Sequence, residues 1–155
     1  MREAGLTAGG FYAHFNSKEA LMAEALAHVG SELEGELEGR LEGLSGREWL
    51  VAFIDRYLST SHRGNLEAGC PIAALLTDVA RSGEPIRGRF EAIFRALSAL
   101  VASHAKGGFK DDREFAILAL CVGGLGLSRS VPDVDLGDRI LVACAKLAKD
   151  SCPAS

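Results

Sequence analysis

Residues 7–21 read TAGGFYAHFNSKEAL, and the interpretation of the whole chain begins from this stretch. Two adjacent glycines precede three aromatic rings within five residues. The letters AGLT at residues 4–7 predict a helix end and a glycine-centred turn, with Thr7 as the N-cap of a very short helix over residues 8–14. The letters FNS end that helix, and Ser17 begins another. A turn, a two-turn helix and an immediate restart are typical of the second half of a helix-turn-helix.

The short helix carries the residue types that contact with DNA requires. In a helix-turn-helix such a helix lies in the major groove with its N-terminal residues at the base edges. Small residues there let the backbone approach the bases, and hydroxyl, ring and ammonium groups donate to phosphate oxygens. Phe11 and Phe15 share one face and would pack the head together. We predict DNA contacts from Thr7, Ala8, Gly9, Gly10, Tyr12, His14 and Lys18, of which the last three could instead be ordinary solvated side chains.

The stretch AGLTAGGFYAHFNSKEALMAEAL, residues 4–26, resembles the recognition helix and following helix of the TetR family of bacterial transcriptional regulators. A second stretch, GCPIAALLTDVARSGEPIRGRF, resembles the effector-domain region of one branch of that family. The resemblance implies a DNA-binding head at residues 1–28 and an effector-binding and dimerisation domain at residues 29–155. It also implies a homodimer, usually a repressor, that binds palindromic operator DNA and is released by a small effector.

The family pattern normally places a whole first helix, and most of a second, before the letters AGL. Here Met1 falls within the expected second helix, so the head is expected to be incomplete or the true start to lie upstream. From the sequence we therefore expect this form to bind operator DNA weakly or not at all, with its first ~16 residues poorly ordered.

Beyond the head, the sequence is a succession of patterns with a period near 3.6 residues. They predict helices over residues 17–44, 45–58, 71–81, 85–105, 113–130 and 136–149, with a polar loop at residues 59–69. No strand pattern of useful length occurs, so the predicted fold is all-α. Gly35, Gly39 and Gly43 recur every four residues in the first of these helices. They are either exposed, tolerated positions, which we favour, or a smooth packing stripe.

The last two long helices are the expected dimer surface. The resemblance implies that they pair with their copies as a four-helix bundle, and residues 115–127 are too apolar to be covered on one side only. The alternative is that both helices are internal core of a monomer. The predicted interface comprises Phe115, Leu118, Val122, Gly123, Leu141 and Cys144, with Arg129 at the polar rim.

The middle helices should enclose a ligand pocket for an uncharged or weakly anionic hydrophobic effector. Each candidate residue, taken singly, is more often plain core. The predicted walls are Phe53, Leu76, Phe90, Phe94 and Leu97, and the predicted polar anchors are Tyr57, Thr77 and His104.

Composition and motifs exclude several other classes. A net charge of −4 argues against a generally basic nucleic-acid coat but leaves room for a local DNA-contact surface. The four cysteines show no CxxC spacing, and no catalytic triad, phosphate loop or HExxH motif occurs, so we predict no metal, no cofactor and no enzymatic activity. No apolar run suits a membrane span or signal peptide, which favours a cytoplasmic protein.

One alternative function stays open at this point. The chain could be a helical ligand-binding or thiol-sensing dimer that does not bind DNA. Cys70 precedes Pro71 at a predicted helix start, a position where a thiol can be reactive. It could instead be a buried residue of the capping region.

Overall fold

Seven helices account for most of the residues that the computed structural model describes, which are residues 17–65 and 70–153. For residues 18, 30–34, 36 and 38 the description covers the backbone only. The helices are α1 (Lys18–Arg40), α2 (Gly46–Tyr57), α3 (Thr60–Gly64), α4 (Pro71–Ala80), α5 (Glu84–Ser103), α6 (Arg113–Ser130) and α7 (Val134–Asp150). The described residues contain no strand, and the all-α prediction is confirmed.

α1 begins where the sequence predicts and ends earlier than predicted. The Ser17 hydroxyl accepts the Ala20 N–H at 3.1 Å, which satisfies one of the unpaired donors of the first turn. The helix stops at Arg40, and Gly43 in the following turn has a φ of +83°. Gly35 and Gly39 are exposed, and a Cβ at either position would meet no atom within 4 Å. The prediction of exposed, tolerated glycines is therefore confirmed for these two.

α1 packs along α5, and this pair forms one side of the molecule. Leu26 of α1 is fully buried, and the Ser82 hydroxyl ahead of α5 lies 3.7 Å from the Met22 sulfur. Since α1 is the first described helix after the predicted DNA-contact segment, α5 is the main support of that helix within the described chain.

α6 and α7 form a closely packed helical hairpin joined by a short turn. Asp133 caps α7 by accepting the Leu136 N–H at 3.0 Å, so the helix begins two residues before the predicted start. A Cβ on Gly124 would lie 2.9 Å from the Cys144 sulfur and 3.1 Å from Leu58, so the missing side chain allows this close approach. At the far end of α7, the Arg47 guanidinium donates to the carbonyls of Lys149, Cys152 and Pro153.

α3 lies in the segment predicted to be a loop, and that part of the prediction is wrong. Its N-cap is Ser59, whose hydroxyl accepts the His62 N–H at 3.1 Å. A helix of five residues shows too few turns for an apolar period to be read from the sequence.

None of the helices within residues 17–65 and 70–153 has both the length and the apolar character needed to cross a bilayer.

Candidate functional site

Most of the predicted DNA contacts lie outside the described residues. This applies to Thr7, Ala8, Gly9, Gly10, Tyr12 and His14, and to the expectation of poor order in the first ~16 residues. Lys18 is the first residue of α1, but its side chain is not described.

An open cleft of about 660 Å³ lies between α4 and α5. Of the eight predicted ligand residues, it brings together Leu76 and Phe90. Its lining combines apolar side chains from both helices with charged side chains of α5. Its full lining is Leu76, Val79, Ala80, Glu84, Arg87, Gly88, Phe90 and Glu91. The size suits a small organic ligand, since such sites commonly measure ~300–1,000 Å³.

The other predicted ligand residues do not line this cleft. Phe53, Tyr57 and Leu97 are buried in the interior. Phe94 stacks on Phe115 with 5.9 Å between the ring centroids, and Thr77 is exposed. The eight predicted residues therefore do not line one common pocket.

The buried side of α2 presents a row of aromatic rings spaced four residues apart. Trp49 and Phe53 stack at 5.5 Å, and Phe53 meets Tyr57 at 5.8 Å. A histidine closes each end: His104 stacks flat on Trp49 at 3.9 Å, and His62 meets Tyr57 edge-on at 5.0 Å. His104 thus contacts this row at its Trp49 end, whereas Tyr57 lies at the other end. His104 and Tyr57 are predicted from the sequence to line the same ligand pocket.

Tyr57, His62 and Cys70 form a hydrogen-bonded cluster at one end of this row, which we call the Tyr57 node. The Tyr57 hydroxyl donates to the Cys70 sulfur at 3.0 Å. His62 Nδ1 lies 2.8 Å from the Tyr57 carbonyl, and His62 Nε2 accepts the Cys70 N–H at 3.1 Å. Because a carbonyl only accepts and an amide N–H only donates, the ring must be neutral with its proton on Nδ1.

Burial fixes the protonation states at the node. Burial, and after it the neighbouring Cys70, raises the pKa of Tyr57 far above its usual range, so the phenol remains a donor. Burial also lowers the pKa of His62, and the positive charges of Arg129 and Arg56 lower it further, against the opposing effect of its bond to the Tyr57 carbonyl. The neutral ring is therefore the stable form around neutral pH.

Two arginines fasten α3 to the α6–α7 hairpin. Arg129 on α6 donates to the carbonyls of His62, Arg63 and Asn65. Arg63 in turn donates to the Val134 carbonyl. It also pairs with Asp138 at 2.8 Å. The sequence placed Arg129 at a dimer rim, whereas its hydrogen bonds are made within this chain. His62 and Arg63 were missed, because nothing in a short polar segment signals which distant carbonyls it will meet.

A family model described as bacterial regulatory proteins, tetR family, matches residues 1–25 of this chain. The resemblance to the TetR family is confirmed. A comparison with curated protein sequences found no match. Among solved structures, the fold is similar to E. coli NemR in its reduced form, with a TM-score of 0.75 over 99% of this chain and 84% of that chain, at 18% identity. The family model covers the predicted DNA-contact segment, and the structural similarity shows the fold alone.

The α6–α7 hairpin of this TetR-like chain carries an unpartnered apolar face. Leu127 is 59% exposed and Val142 is 69% exposed, although both are aliphatic. Exposed apolar residues recur at helical spacing on the two helices: Phe115, Ala116, Ala119, Gly123 and Leu127 on α6, and Leu136, Val142, Ala143 and Leu147 on α7. Exposed apolar side chains that recur along two neighbouring helices are typical of an interaction surface.

Only part of the predicted dimer set lies on that face. Phe115 and Gly123 are exposed on it. Leu118, Val122 and Leu141 are buried inside the single chain, and Cys144 is half-buried against Gly124. The inward positions were chosen because both faces of α6 are apolar, and hydropathy alone does not distinguish the inner face from the outer one.

The TetR-like chain shows no cluster of metal-ligating side chains among the described residues. All four cysteines are free thiols. Burial raises the pKa of Cys121, Cys144 and Cys152 above the usual range. Those three thiols are therefore poor nucleophiles and poor metal ligands at neutral pH.

Proposed function

We propose that this chain is a ligand-responsive transcriptional regulator, in the family's usual mode a repressor, acting in the cytoplasm. With a complete head it binds palindromic operator DNA as a homodimer and is released by a small hydrophobic effector. The observation that carries the proposal is the TetR match over residues 1–25, a range that includes the segment predicted to form the glycine-led helix and its proposed contacts Thr7, Tyr12 and His14. The proposed mechanism needs no cofactor and no catalytic step.

The homodimer is proposed to form through the exposed apolar face of α6 and α7. Leu127 and Val142 are exposed to solvent in the single chain. Burying each of them in an interface would contribute roughly 1.5–3 kcal/mol to the free energy of association. The small residues Ala116, Ala119 and Gly123 along α6 would let a second copy come close. A two-fold axis here would present two reading helices, one DNA turn or about 34 Å apart.

The effector is proposed to bind in the cleft between α4 and α5. Leu76, Val79 and Phe90 suit a hydrophobic body, and the Arg87 guanidinium in the lining suits a neutral or weakly anionic polar group. Glu91 already accepts two hydrogen bonds from Arg95, at 2.7 and 2.9 Å. The effector therefore meets a carboxylate whose charge is partly neutralised.

Effector and DNA are coupled in this proposal through α5. The cleft has α5 as one wall, and α1 packs along the same helix. An effector that binds better to one position of α5 would favour one position of α1, and with it one spacing of the two heads. The shift in DNA affinity can be no larger than the effector's difference in affinity for the two states.

The test is a selection of DNA duplexes from a random library by a form of the chain whose head is complete. The proposal expects enrichment of a palindrome with half-sites about one helical turn apart. Binding should then weaken when a hydrophobic compound that occupies the cleft is added. Failure to enrich any sequence, with the chain folded by circular dichroism, would contradict operator binding.

A second candidate is a regulator that responds to oxidation of a thiol. It is favoured by the Tyr57 hydroxyl, which donates to Cys70 at 3.0 Å and would also stabilise an anionic sulfur. The similar NemR structure is of a reduced form, which is compatible with this candidate. Mild peroxide should then oxidise Cys70 ahead of the other three thiols, and peptide mapping measures the order. Equal or slower oxidation of Cys70 would remove this candidate.

A further inference from the structure

The five-residue helix α3 is joined to other elements on two sides by side-chain hydrogen bonds. On one side, Arg129 of α6 donates to three carbonyls at its C-terminal end, at 2.6, 3.2 and 3.2 Å. These carbonyls have no partner within a helix that ends there. A planar guanidinium can hold several of them in one fixed arrangement, which a flexible ammonium cannot.

The same side is fastened a second time at the start of α7. Arg63 of α3 donates to the Val134 carbonyl at 3.3 Å. It also pairs with Asp138 at 2.8 Å, and its side chain is only 18% exposed. α3 is thus attached to both helices of the proposed dimer surface.

On its other side, α3 holds the beginning of α4 through the His62 ring. The ring donates from Nδ1 to the Tyr57 carbonyl at 2.8 Å and accepts the Cys70 N–H on Nε2 at 3.1 Å. Cys70 is the N-cap of α4, and no side-chain bond of its own caps that helix. Neither ring nitrogen can exchange its role, so α4 cannot shift at its start without breaking the Cys70–His62 bond or moving α3.

We propose that α3 is a coupling element between the start of α4 and the α6–α7 hairpin, with Arg129 as the positioning residue that sets its place. The inference rests on the proposed function in one respect, since α4 walls the proposed effector cleft and α6–α7 is the proposed dimer surface. A displacement of α4 on effector binding then reaches the dimer surface through His62, α3 and Arg129. The reverse holds as well, because coupling between two sites is reciprocal.

The first test uses the Cys70 thiol as a reporter of how firmly the start of α4 is held. N-ethylmaleimide alkylation of the full-length chain is followed by peptide mapping, which gives a rate for each of the four thiols. Arg129→Ala should speed alkylation of Cys70 by about tenfold or more, because charge-assisted hydrogen bonds are lost. The half-buried Cys144 serves as the internal reference and should keep its rate.

Two further variants separate positioning from general stability. Arg129→Lys keeps the charge but not the fork, so it should fold normally and still speed Cys70 alkylation, by less than the alanine variant does. Arg139→Ala removes an exposed arginine of α7 and should change nothing. Unchanged Cys70 rates in both Arg129 variants would overturn the proposal. Equal acceleration of all four thiols would do so too, since that indicates loosening of the whole fold.

The second test varies protein concentration. Where sedimentation shows the dimer forming, the Cys70 rate of the wild-type chain should change with dimerisation, and that change should vanish in Arg129→Lys. A Cys70 alkylation rate that stays the same when the dimer forms would overturn the coupling. A monomer at every concentration would overturn the proposed dimer and with it this coupling, while the DNA selection reports separately on operator binding.

Discussion

At the scale of single residues, Gly124 lies where α6 and α7 approach most closely. An added Cβ would stand 2.9 Å from the Cys144 sulfur, 3.0 Å from its Cβ and 3.1 Å from Leu58. Gly124→Ala should therefore lower the free energy of unfolding by about 1–3 kcal/mol through overpacking, despite the better helix propensity of alanine. Urea denaturation measures the change.

The neighbouring glycine supplies the matched control. Gly123 is exposed on the same helix, and nothing lies within 4 Å of the position of its Cβ. At concentrations where the chain is monomeric, so that the proposed dimer face is not involved, Gly123→Ala should raise the free energy of unfolding by roughly 1 kcal/mol. Adding Cys144→Ala to Gly124→Ala should recover part of the loss. Equal effects at the two glycines would contradict the close approach.

His62 should make the fold less stable in acid. Its folded pKa is lowered by burial and by the charges of Arg129 and Arg56, so as the pH falls below about 6.5 the unfolded chain takes up the proton first. The free energy of unfolding should fall from that pH and level off once folded His62 is also protonated. Tyr57 faces the same ring and stays protonated over this range, because burial raises its pKa.

His62→Gln tests this dependence, because an amide can accept the Cys70 N–H but does not titrate. Thermal melts between about pH 7.5 and 5 should show a shallower acid loss in the variant than in the wild type. The same acid slope in both proteins would exclude His62 as its origin.

At the scale of elements, the glycines around α1 should behave oppositely although none touches a neighbour. Gly39 lies within the helix, whereas Gly43 lies in the turn with a φ of +83°. Gly39→Ala should stabilise the chain by roughly 1 kcal/mol, and Gly43→Ala should destabilise it by about 1–2 kcal/mol because alanine is strained at that φ. Thermal melts of the two variants compare them directly, and a stabilising Gly43→Ala would contradict the turn.

The sequence predicts elements with long apolar periods well and others poorly. α5 and α6 carry strong patterns, and α6 has the predicted bounds of residues 113–130. The end of α1 is misplaced by four residues, since Leu41 and Leu44 continue the apolar spacing past the turn where the helix stops. α3 was missed altogether, because it is held mainly by hydrogen bonds between arginine side chains and backbone carbonyls. Every residue has a backbone carbonyl, so the sequence does not indicate which ones will accept such bonds.

At the scale of the whole molecule, the exposed face of α6 and α7 predicts how dimerisation responds to charge. Leu127→Asp should weaken self-association by on the order of a hundredfold or more, because an unpaired charge in a buried interface is costly. Leu44→Asp, at a comparably exposed leucine between α1 and α2, is the control and should leave self-association unchanged. Sedimentation over a range of concentrations distinguishes the two. Equal behaviour of both variants would contradict this interface.

The candidate site is also where prediction from sequence stops. Helical spacing identifies which side of α4 or α5 is apolar, and Leu76 and Phe90 do meet in one cleft. It does not say which apolar sides face one another across the chain. Phe94 therefore pairs with Phe115, and Tyr57 meets Cys70, rather than lining that cleft.

The flat stack of His104 on Trp49 gives the chain an optical reporter. Trp49 is the only tryptophan of the chain, and the imidazole plane lies 3.9 Å away at 3° to the indole. The emission of an excited indole depends on the groups in van der Waals contact with it, so the fluorescence intensity depends on this stack. Because His104 ends α5 while Trp49 sits on α2, any sliding of one helix over the other changes the light emitted by the unlabelled protein.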